Sequence, residues 1–246
     1  MLVLYINKGA NMRKMMILLC TMATLMTLVA CDMPWQRERA LSPEEIEMAA
    51  QFDDIAATDW FYRYVVAGVR FGIIEGTSDD NPNFEPERNV TQGEFIAMLG
   101  RVHEYGHGVI GVLAEGGDDY ERYIEWALDA GIVHRYNYWD LALHELITRE
   151  QAAVIVWRYT RGFELRDYFW HDTYMVDATF DDFHEMSHWA QGPIESLRYD
   201  LLVRGSRGWY FEPHNTVTKA DAMQLLTRVC SAIYDLEHPL HPRPRN

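Results

Sequence analysis

Two short segments of this chain contain the residue types of a hydrolytic zinc site. His103-Glu-Tyr-Gly-His107 and His184-Glu-Met-Ser-His188 both fit H-E-x-x-H, in which two histidines one helical turn apart bind zinc and the glutamate is the base. Such a site needs one helix through all five residues. Gly106 favours a helix end inside the first segment, and His188 belongs to a repeated pattern described below. A zinc hydrolase is therefore only a remote alternative.

A second set of side chains could bind an anion. Arg149 and Lys219 follow Thr148 and Thr218, each at the predicted first position of a helix. The start of a helix already has a positive dipole end and unpaired N–H groups, so a cation there opposes the dipole and suggests an anionic partner. We expect a carboxylate to accept backbone N–H bonds there as well as the side-chain contact. The alternative is a surface cation paired with a neighbouring carboxylate.

The charge of the chain limits its partners. The 246 residues have a formal net charge of −15, and 48% are hydrophobic, which suffices for one sizeable core or two small ones. A nucleic-acid binder normally presents a basic surface, so the chain as a whole does not fit that class. An anionic ligand requires a pocket where a few basic side chains outweigh the surrounding field. The three cysteines exclude a disulfide framework and a metal site of paired cysteines.

The first residues predict export. Arg13 and Lys14 precede an uncharged apolar run, residues 15–30, which is the pattern of a signal peptide. The run is short for a membrane-spanning helix, which needs about 20 residues. An uncleaved N-terminal anchor and a signal cut elsewhere are the alternatives.

The end of this apolar run resembles a bacterial lipobox. Leu28-Val-Ala-Cys31 would make Cys31 the lipidated N-terminus of the mature protein. We expect residues 1–30 to be a lipoprotein signal peptide, with Met12 as an alternative start. Residues 31–50 then form a tether that contains a short helix with Pro43 at its first position.

Two stretches of the remaining chain repeat each other. Each has a Phe-Asp-Asp, a tryptophan, a glycine and a Phe-Glu-Pro, which are Phe52–Asp54, Trp60, Gly76 and Phe84–Pro86, then Phe180–Asp182, Trp189, Gly205 and Phe211–Pro213. The tryptophan precedes the glycine by 16 positions in both copies. A weaker copy between them lacks the Phe-Asp-Asp and the Phe-Glu-Pro. We predict repeats at 51–105, 118–162 (degenerate) and 178–232, and a disordered tail at 233–246.

Each copy is predicted to fold as helix, loop, helix. The second helix of each copy follows a threonine that has an acidic or amide residue three positions later, the pattern of a capping box; the pairs are Thr91–Glu94, Thr148–Gln151 and Thr218–Asp221. Apolar residues continue at helical spacing after each cap, so these faces should pack together. The first helix of the third copy is expected to begin at Pro193, and a loop is expected from Gly106.

In this order, the Phe-x-Asp, Trp, Gly-Ile-Ile-x-Gly, Phe-x-Pro and Val/Ile-Thr-Arg-x-Glu patterns resemble S-layer homology domains. The resemblance implies a single all-α domain of three helix-loop-helix repeats with pseudo-threefold symmetry around a central three-helix core. It also implies non-covalent binding to cell-wall polymers, either acidic or pyruvylated secondary cell-wall polysaccharide or modified peptidoglycan. The candidate ligand-binding residues are Thr91, Gln92, Thr148, Arg149, Thr218, Lys219, Trp60, Trp189, Gly76 and Gly205.

Several of these candidates have competing interpretations. Trp60 and Trp189 could stack on sugar, although a place in the core is the favoured interpretation. Gly76 and Gly205 are expected to be turn residues with positive φ. Gln92 keeps hydrogen-bonding groups without the charge, so binding at the first copy is in doubt.

The sequence thus predicts a non-enzymatic, extracytoplasmic lipoprotein that is anchored in the membrane by its lipid and associated with the cell wall. It is expected to need no cofactor and no metal, and to bind no nucleic acid. A scaffold or adaptor that binds a protein partner is the alternative.

Overall fold

A computed structural model describes residues 41–74, 83–107, 119–134, 141–163, 179–205 and 209–237. Within these residues the chain is all-α, as predicted, with no extended strand. The helices are α1 (Pro43–Ala49), α2 (Tyr62–Arg70), α3 (Gln92–His107), α4 (Asp119–Asp129), α5 (Arg149–Gly162), α6 (His188–Tyr199) and α7 (Lys219–Glu237), and a 3-10 turn covers Phe183–Glu185. The predicted signal peptide, Cys31 and Gly76 lie outside the described residues.

The three long helices α3, α5 and α7 begin at the predicted capping boxes. In each box the threonine hydroxyl accepts a hydrogen bond from the N–H three residues later, at 3.2 Å for Thr91, 3.4 Å for Thr148 and 3.2 Å for Thr218. The side chain at that later position accepts one back from the threonine N–H, at 2.8, 3.0 and 3.4 Å respectively. The aspartate box of α7 therefore has the same pattern as the other two, with a longer return bond.

The apolar faces that follow these caps lie in one hydrophobic core, as their helical spacing predicts. The core takes in Phe95, Met98, Leu99 and Val102 of α3, Ala152, Ile155, Val156 and Tyr159 of α5, and Ala222, Leu226 and Val229 of α7. Leu225 packs against its edge. Large side chains with no exposed area, such as Phe95 and Tyr159, occupy its centre.

Three short segments just before these helices hydrogen-bond in a closed cycle. Val90 N–H donates to the carbonyl of Val217 at 3.0 Å, Val217 N–H to Ile147 at 3.0 Å, and Ile147 N–H to Val90 at 3.1 Å. All three residues are buried, so each donor needs a protein partner. The cycle places the starts of α3, α5 and α7 around one centre.

Aspartates of the two Phe-Asp-Asp motifs hold the Phe-Glu-Pro loops. The carboxylate of Asp54 accepts hydrogen bonds from the N–H groups of Phe84 (2.7 Å) and Glu85 (2.6 Å). Asp182 does the same for Phe211 (2.8 Å) and Glu212 (2.6 Å). These bonds fix Glu85 and Glu212 at φ of 60° and 57°, a conformation that is strained for residues other than glycine.

Two predicted boundaries at the end of the chain and at Gly106 are wrong. α7 continues to Glu237 and buries Ile233 to 1% exposure, so the predicted tail from 233 begins as helix. α3 continues through Gly106 to His107. A Cβ on Gly106 would lie under 3.0 Å from the Ile233 side chain. The glycine thus permits close packing of α3 against α7 instead of ending the helix.

The predicted start of α6 at Pro193 is also wrong. The helix begins at His188, with Ser187 as N-cap and Pro193 in its interior. Proline disfavours helical backbone in the residue before it partly through a clash with that residue's Cβ. Gly192 has no Cβ, which lowers this cost.

Candidate ligand-binding cleft

Arg149, the first residue of α5, reaches the Phe-Glu-Pro loop of the third copy. Its Nε donates to the carbonyl oxygen of Phe211 at 2.7 Å, and its guanidinium lies over the Phe211 ring at 5.1 Å. The adjacent Glu150 is buried and accepts hydrogen bonds from the N–H and hydroxyl of Ser187, at 3.0 and 2.9 Å. Within the described part of the chain Arg149 has no carboxylate partner. The ion pair considered as the alternative is therefore not formed there.

An open cleft lies beside Arg149, between α5, α7 and the loop after α6. Its apolar wall includes Ala152, Val203 and Phe211, and its basic side chains are Arg149, Arg204 and Arg228. The carboxylate of Asp221, which also lines it, accepts a hydrogen bond from the Thr218 hydroxyl at 2.8 Å. Three arginines around one cleft make a locally positive site in a strongly acidic chain.

The environment of Arg228 favours an anion in the cleft. Burial lowers the pKa of Arg228, Tyr64 raises it, and the nearby charge of Arg204 lowers it. Its Nη1 donates to the carbonyl of Leu202 at 2.9 Å. A guanidinium stays charged in a protein. A bound carboxylate would therefore relieve the repulsion between the two arginines.

Lys219 occupies the equivalent position between the third and first copies. Its ammonium lies 5.0 Å from the centre of the Phe84 ring. Burial and Arg88 lower the pKa of Lys219, whereas Glu85, Glu94 and Asp54 raise it. Three nearby carboxylates already supply negative charge, which makes this position less suited to an anion than the one at Arg149.

Gln92 occupies the third equivalent position, between the first and second copies. It is 3% exposed, and its Oε1 accepts a hydrogen bond from the N–H of Ala142 at 3.3 Å. Ala142 stands where the other two copies have the glutamates held by Asp54 and Asp182. Gln92 therefore partly replaces the missing aspartate of the weak copy.

We predicted that a ligand carboxylate accepts hydrogen bonds from the N–H groups at the helix starts, and this prediction is wrong. The first two N–H groups of each long helix donate to carbonyl oxygens of the next copy. Gln92 and Gly93 donate to Glu145 and Leu143, Arg149 and Glu150 to Asn215 and Pro213, and Lys219 and Ala220 to Arg88 and Pro86, at 2.8–3.1 Å. The third N–H is taken by the threonine hydroxyl. Only side chains are left to meet an anion there.

The two candidate tryptophans have different environments. Trp60 is 55% exposed and packs edge-on against Phe61 and Tyr64, so the core interpretation is wrong for this residue. Trp189 is partly buried against the core. Gly205 lacks the expected positive φ; a Cβ there would lie 3.0 Å from the backbone N and O of Tyr210.

Neither H-E-x-x-H segment has the form of a zinc site. His184 lies in the 3-10 turn and His188 begins α6, so these two histidines do not share one helix. His103 and His107 do share α3, but the His103 ring packs against Trp126 and Phe163, at 4.9 and 4.5 Å between ring centres. Among the described residues no three His, Cys, Asp or Glu side chains are grouped to hold a metal. No helix among them is long and apolar enough to cross a membrane.

Sequence reasoning missed Arg204 and Arg228, and with them the cleft as a cluster of three arginines. Arg204 stands one position before Gly205, where the first copy has Glu75 before Gly76, so comparison of the copies gives no signal for it. Arg228 does carry a signal, because it stands ten positions after the capping threonine, where the other two copies have Arg101 and Arg158.

The first copy, in which Asp54 binds the Phe84 loop and Thr91 caps α3, is similar to a known protein family. Residues 51–96 match the model of the S-layer homology domain. The family resemblance inferred from the sequence is confirmed for this segment.

Three relatives match a longer part of the chain. An endoglucanase of Bacillus sp. (strain KSM-635) is 25% identical over 204 residues, which are 78% of this chain and 20% of the relative. An amylopullulanase of Thermoanaerobacterium thermosulfurigenes is 28% identical over 63% of this chain and 8% of its own. The exoglucanase XynX of Acetivibrio thermocellus is 25% identical over 74% and 16%. The match thus spans a fifth or less of each relative.

Proposed function

We propose that the protein is a non-enzymatic cell-surface lipoprotein that binds an acidic cell-wall polymer in the cleft beside Arg149. The observation that carries the proposal is the convergence of Arg149, Arg204 and Arg228 on one open cleft in a chain of net charge −15. Charge-assisted hydrogen bonds from guanidinium groups are well suited to a planar carboxylate. An acidic sugar substituent, such as a pyruvate ketal, would supply that group.

The similarity to known proteins supports a location at the cell wall. The matched S-layer homology domain supports attachment of a surface protein to the cell wall. The relatives are named as enzymes, but each is matched over a fifth or less of its length. We therefore propose that this chain shares their wall-attachment part and not a catalytic part.

Three repeats in a pseudo-threefold arrangement are part of the proposal. The hydrogen-bond cycle of Val90, Ile147 and Val217 supports it, as do the three matching capping boxes. We further propose that Cys31 is lipidated, since it directly follows Leu28-Val-Ala.

Binding to purified sacculi tests the function. The protein should sediment with native sacculi and remain soluble with sacculi whose polysaccharide has been extracted. Equal binding to both would identify peptidoglycan as the ligand. No binding to either would reject wall attachment and favour a scaffold that contacts a protein partner.

A further inference from the structure

An aromatic and cationic array continues from the cleft to the protein surface. Arg149 lies over the ring of Phe211 at 5.1 Å, and Phe211 contacts the ring of Phe180 at 5.4 Å between centres. Arg198 lies over Phe180 at 4.8 Å and over Trp209 at 5.6 Å. We call these five residues the stacked array. It connects the arginine that lines the cleft to an indole ring at the surface.

Trp209 ends this array with much of its ring in solvent. It is 46% exposed, and the neighbouring Tyr210 is 49% exposed. Trp209 precedes Phe211 by two residues, and two residues of extended chain span at most about 7 Å. The exposed ring therefore stands close to the cleft wall. Two adjacent exposed aromatic side chains beside a cleft are typical of a binding surface.

We propose that Trp209 is a stacking platform for a sugar ring of the wall polysaccharide whose acidic substituent enters the Arg149 cleft. The C–H groups on one face of a pyranose carry partial positive charge and are attracted to the negative face of an aromatic ring. Neighbouring sugars of one chain can bridge the short distance from platform to cleft. This proposal rests on the proposed function and adds the requirement for an extended saccharide.

Arg198 is the residue that positions the platform. Its guanidinium is held between Phe180 and Trp209, a cation–π arrangement that restricts the indole before the ligand arrives. The backbone is held as well, because the Trp209 carbonyl accepts a hydrogen bond from Asp181 N–H at 2.9 Å. A ring that is already ordered loses less conformational entropy on binding.

The equivalent place beside Lys219 has no counterpart of Arg198 and Trp209, the two residues of the array nearest the surface. Lys219, Phe84 and Phe52 correspond to Arg149, Phe211 and Phe180, and the two phenylalanine rings are 5.8 Å apart. The positions that match Arg198 and Trp209 are occupied by Val69 and Pro82. Of these two equivalent places, only the one beside Arg149 therefore has the platform.

The test measures affinity for purified wall polysaccharide and for the same polymer after its carboxylates have been reduced to alcohols. Trp209→Ala should weaken binding about tenfold to both polymers, the loss typical of an exposed aromatic anchor. Trp209→Phe should recover most of the affinity, and Trp209→Leu should not, because leucine is apolar but has no ring face. Arg198→Met should show a smaller loss than Trp209→Ala. Ile46→Ala, at another exposed apolar residue, is the control and should match wild type.

The outcomes separate the platform from the function it rests on. Arg149→Ala should weaken binding to the native polymer only. If Trp209→Ala binds both polymers like wild type while Arg149→Ala does not, the platform is wrong and the cleft stands. A loss in Trp209→Ala alone would support the platform and reject the role of Arg149. Failure of the wild-type protein to bind either polymer would overturn both.

Discussion

Arg149 is attached to the third copy of the repeat by its Nε, which donates to the Phe211 carbonyl oxygen 2.7 Å away. One nitrogen of the guanidinium thus fixes the side chain across the boundary between α5 and the Phe211 loop. Its two terminal nitrogens make no hydrogen bond to the described residues. The group is therefore pre-positioned to offer a bidentate contact to a carboxylate.

The Arg149 cleft should depend on a guanidinium and not only on charge. Arg149→Ala is expected to weaken wall binding by about one to two decades, since hydrogen bonds to charged groups contribute about 1.5–3 kcal/mol. Arg149→Lys should recover only part of this, because an ammonium cannot make the bidentate contact. Sedimentation with sacculi measures both.

Variants of Lys219 and Gln92, at the two equivalent positions, show whether the loss of binding is specific to Arg149. Arg149→Ala combined with Lys219→Ala should abolish sacculus binding, and intact binding by the double variant would reject the cleft. Gln92→Ala should leave binding unchanged. It should lower the free energy of unfolding by about 1 kcal/mol, because the Ala142 N–H loses its acceptor.

Lipid attachment should require Cys31. In a bacterial host, the protein should partition into the detergent phase and incorporate a labelled fatty acid. Cys31→Ser should abolish both. Cys20→Ser, within the apolar run, is the matched control and should be labelled normally. Unchanged labelling of Cys31→Ser would show that the lipobox assignment is wrong.

Purified protein should contain no stoichiometric zinc. His103 is packed among aromatic rings and faces the hydroxyl of Tyr159 at 3.5 Å from its Nδ1, while His184 and His188 lie on different elements. Elemental analysis after gel filtration measures the content. About one zinc per chain, lost in His103→Ala, would restore the hydrolase alternative.

Protein stability should fall as the pH drops below about 6.5, partly because of His103. Burial and then His107 lower the pKa of His103 from 6.5 to about 4, while Glu104 raises it. Between these values the unfolded chain takes up a proton that the folded protein excludes, so acid favours unfolding. Urea denaturation at pH 7 and pH 5 should show a smaller difference for His103→Phe than for wild type. An equal difference would mean that His103 does not contribute.

Gly106 should be intolerant of a side chain. Gly106→Ala would push a methyl group into Ile233 and separate α3 from α7, and we expect a loss of about 1–3 kcal/mol in the free energy of unfolding. Gly162→Ala is the matched control, because no described residue lies within 4 Å of a Cβ there. Thermal denaturation compares the two; equal midpoints would contradict the close packing.

The sequence by itself determined the features that depend on neighbouring residues. Capping boxes and helical apolar spacing act within about four residues, so the starts and buried faces of α3, α5 and α7 could be predicted from the order of side chains. The family resemblance followed from the same local motifs. The predicted helix end at Gly106 was wrong because close packing against Ile233 requires a glycine inside α3. The predicted helix start at Pro193 was wrong because Gly192 lowers the cost of a proline in the helix interior.

Only the tertiary structure decided which groups meet. The N–H groups at the helix starts looked available in the sequence, but carbonyl oxygens of the next copy occupy the first two on each helix. Arg149 and Phe211 are 62 positions apart, and Arg228 joins them through the packing of α7. Contacts between residues this far apart in sequence depend on how the helices pack around the core. The local spacing of residues along the chain does not determine that packing.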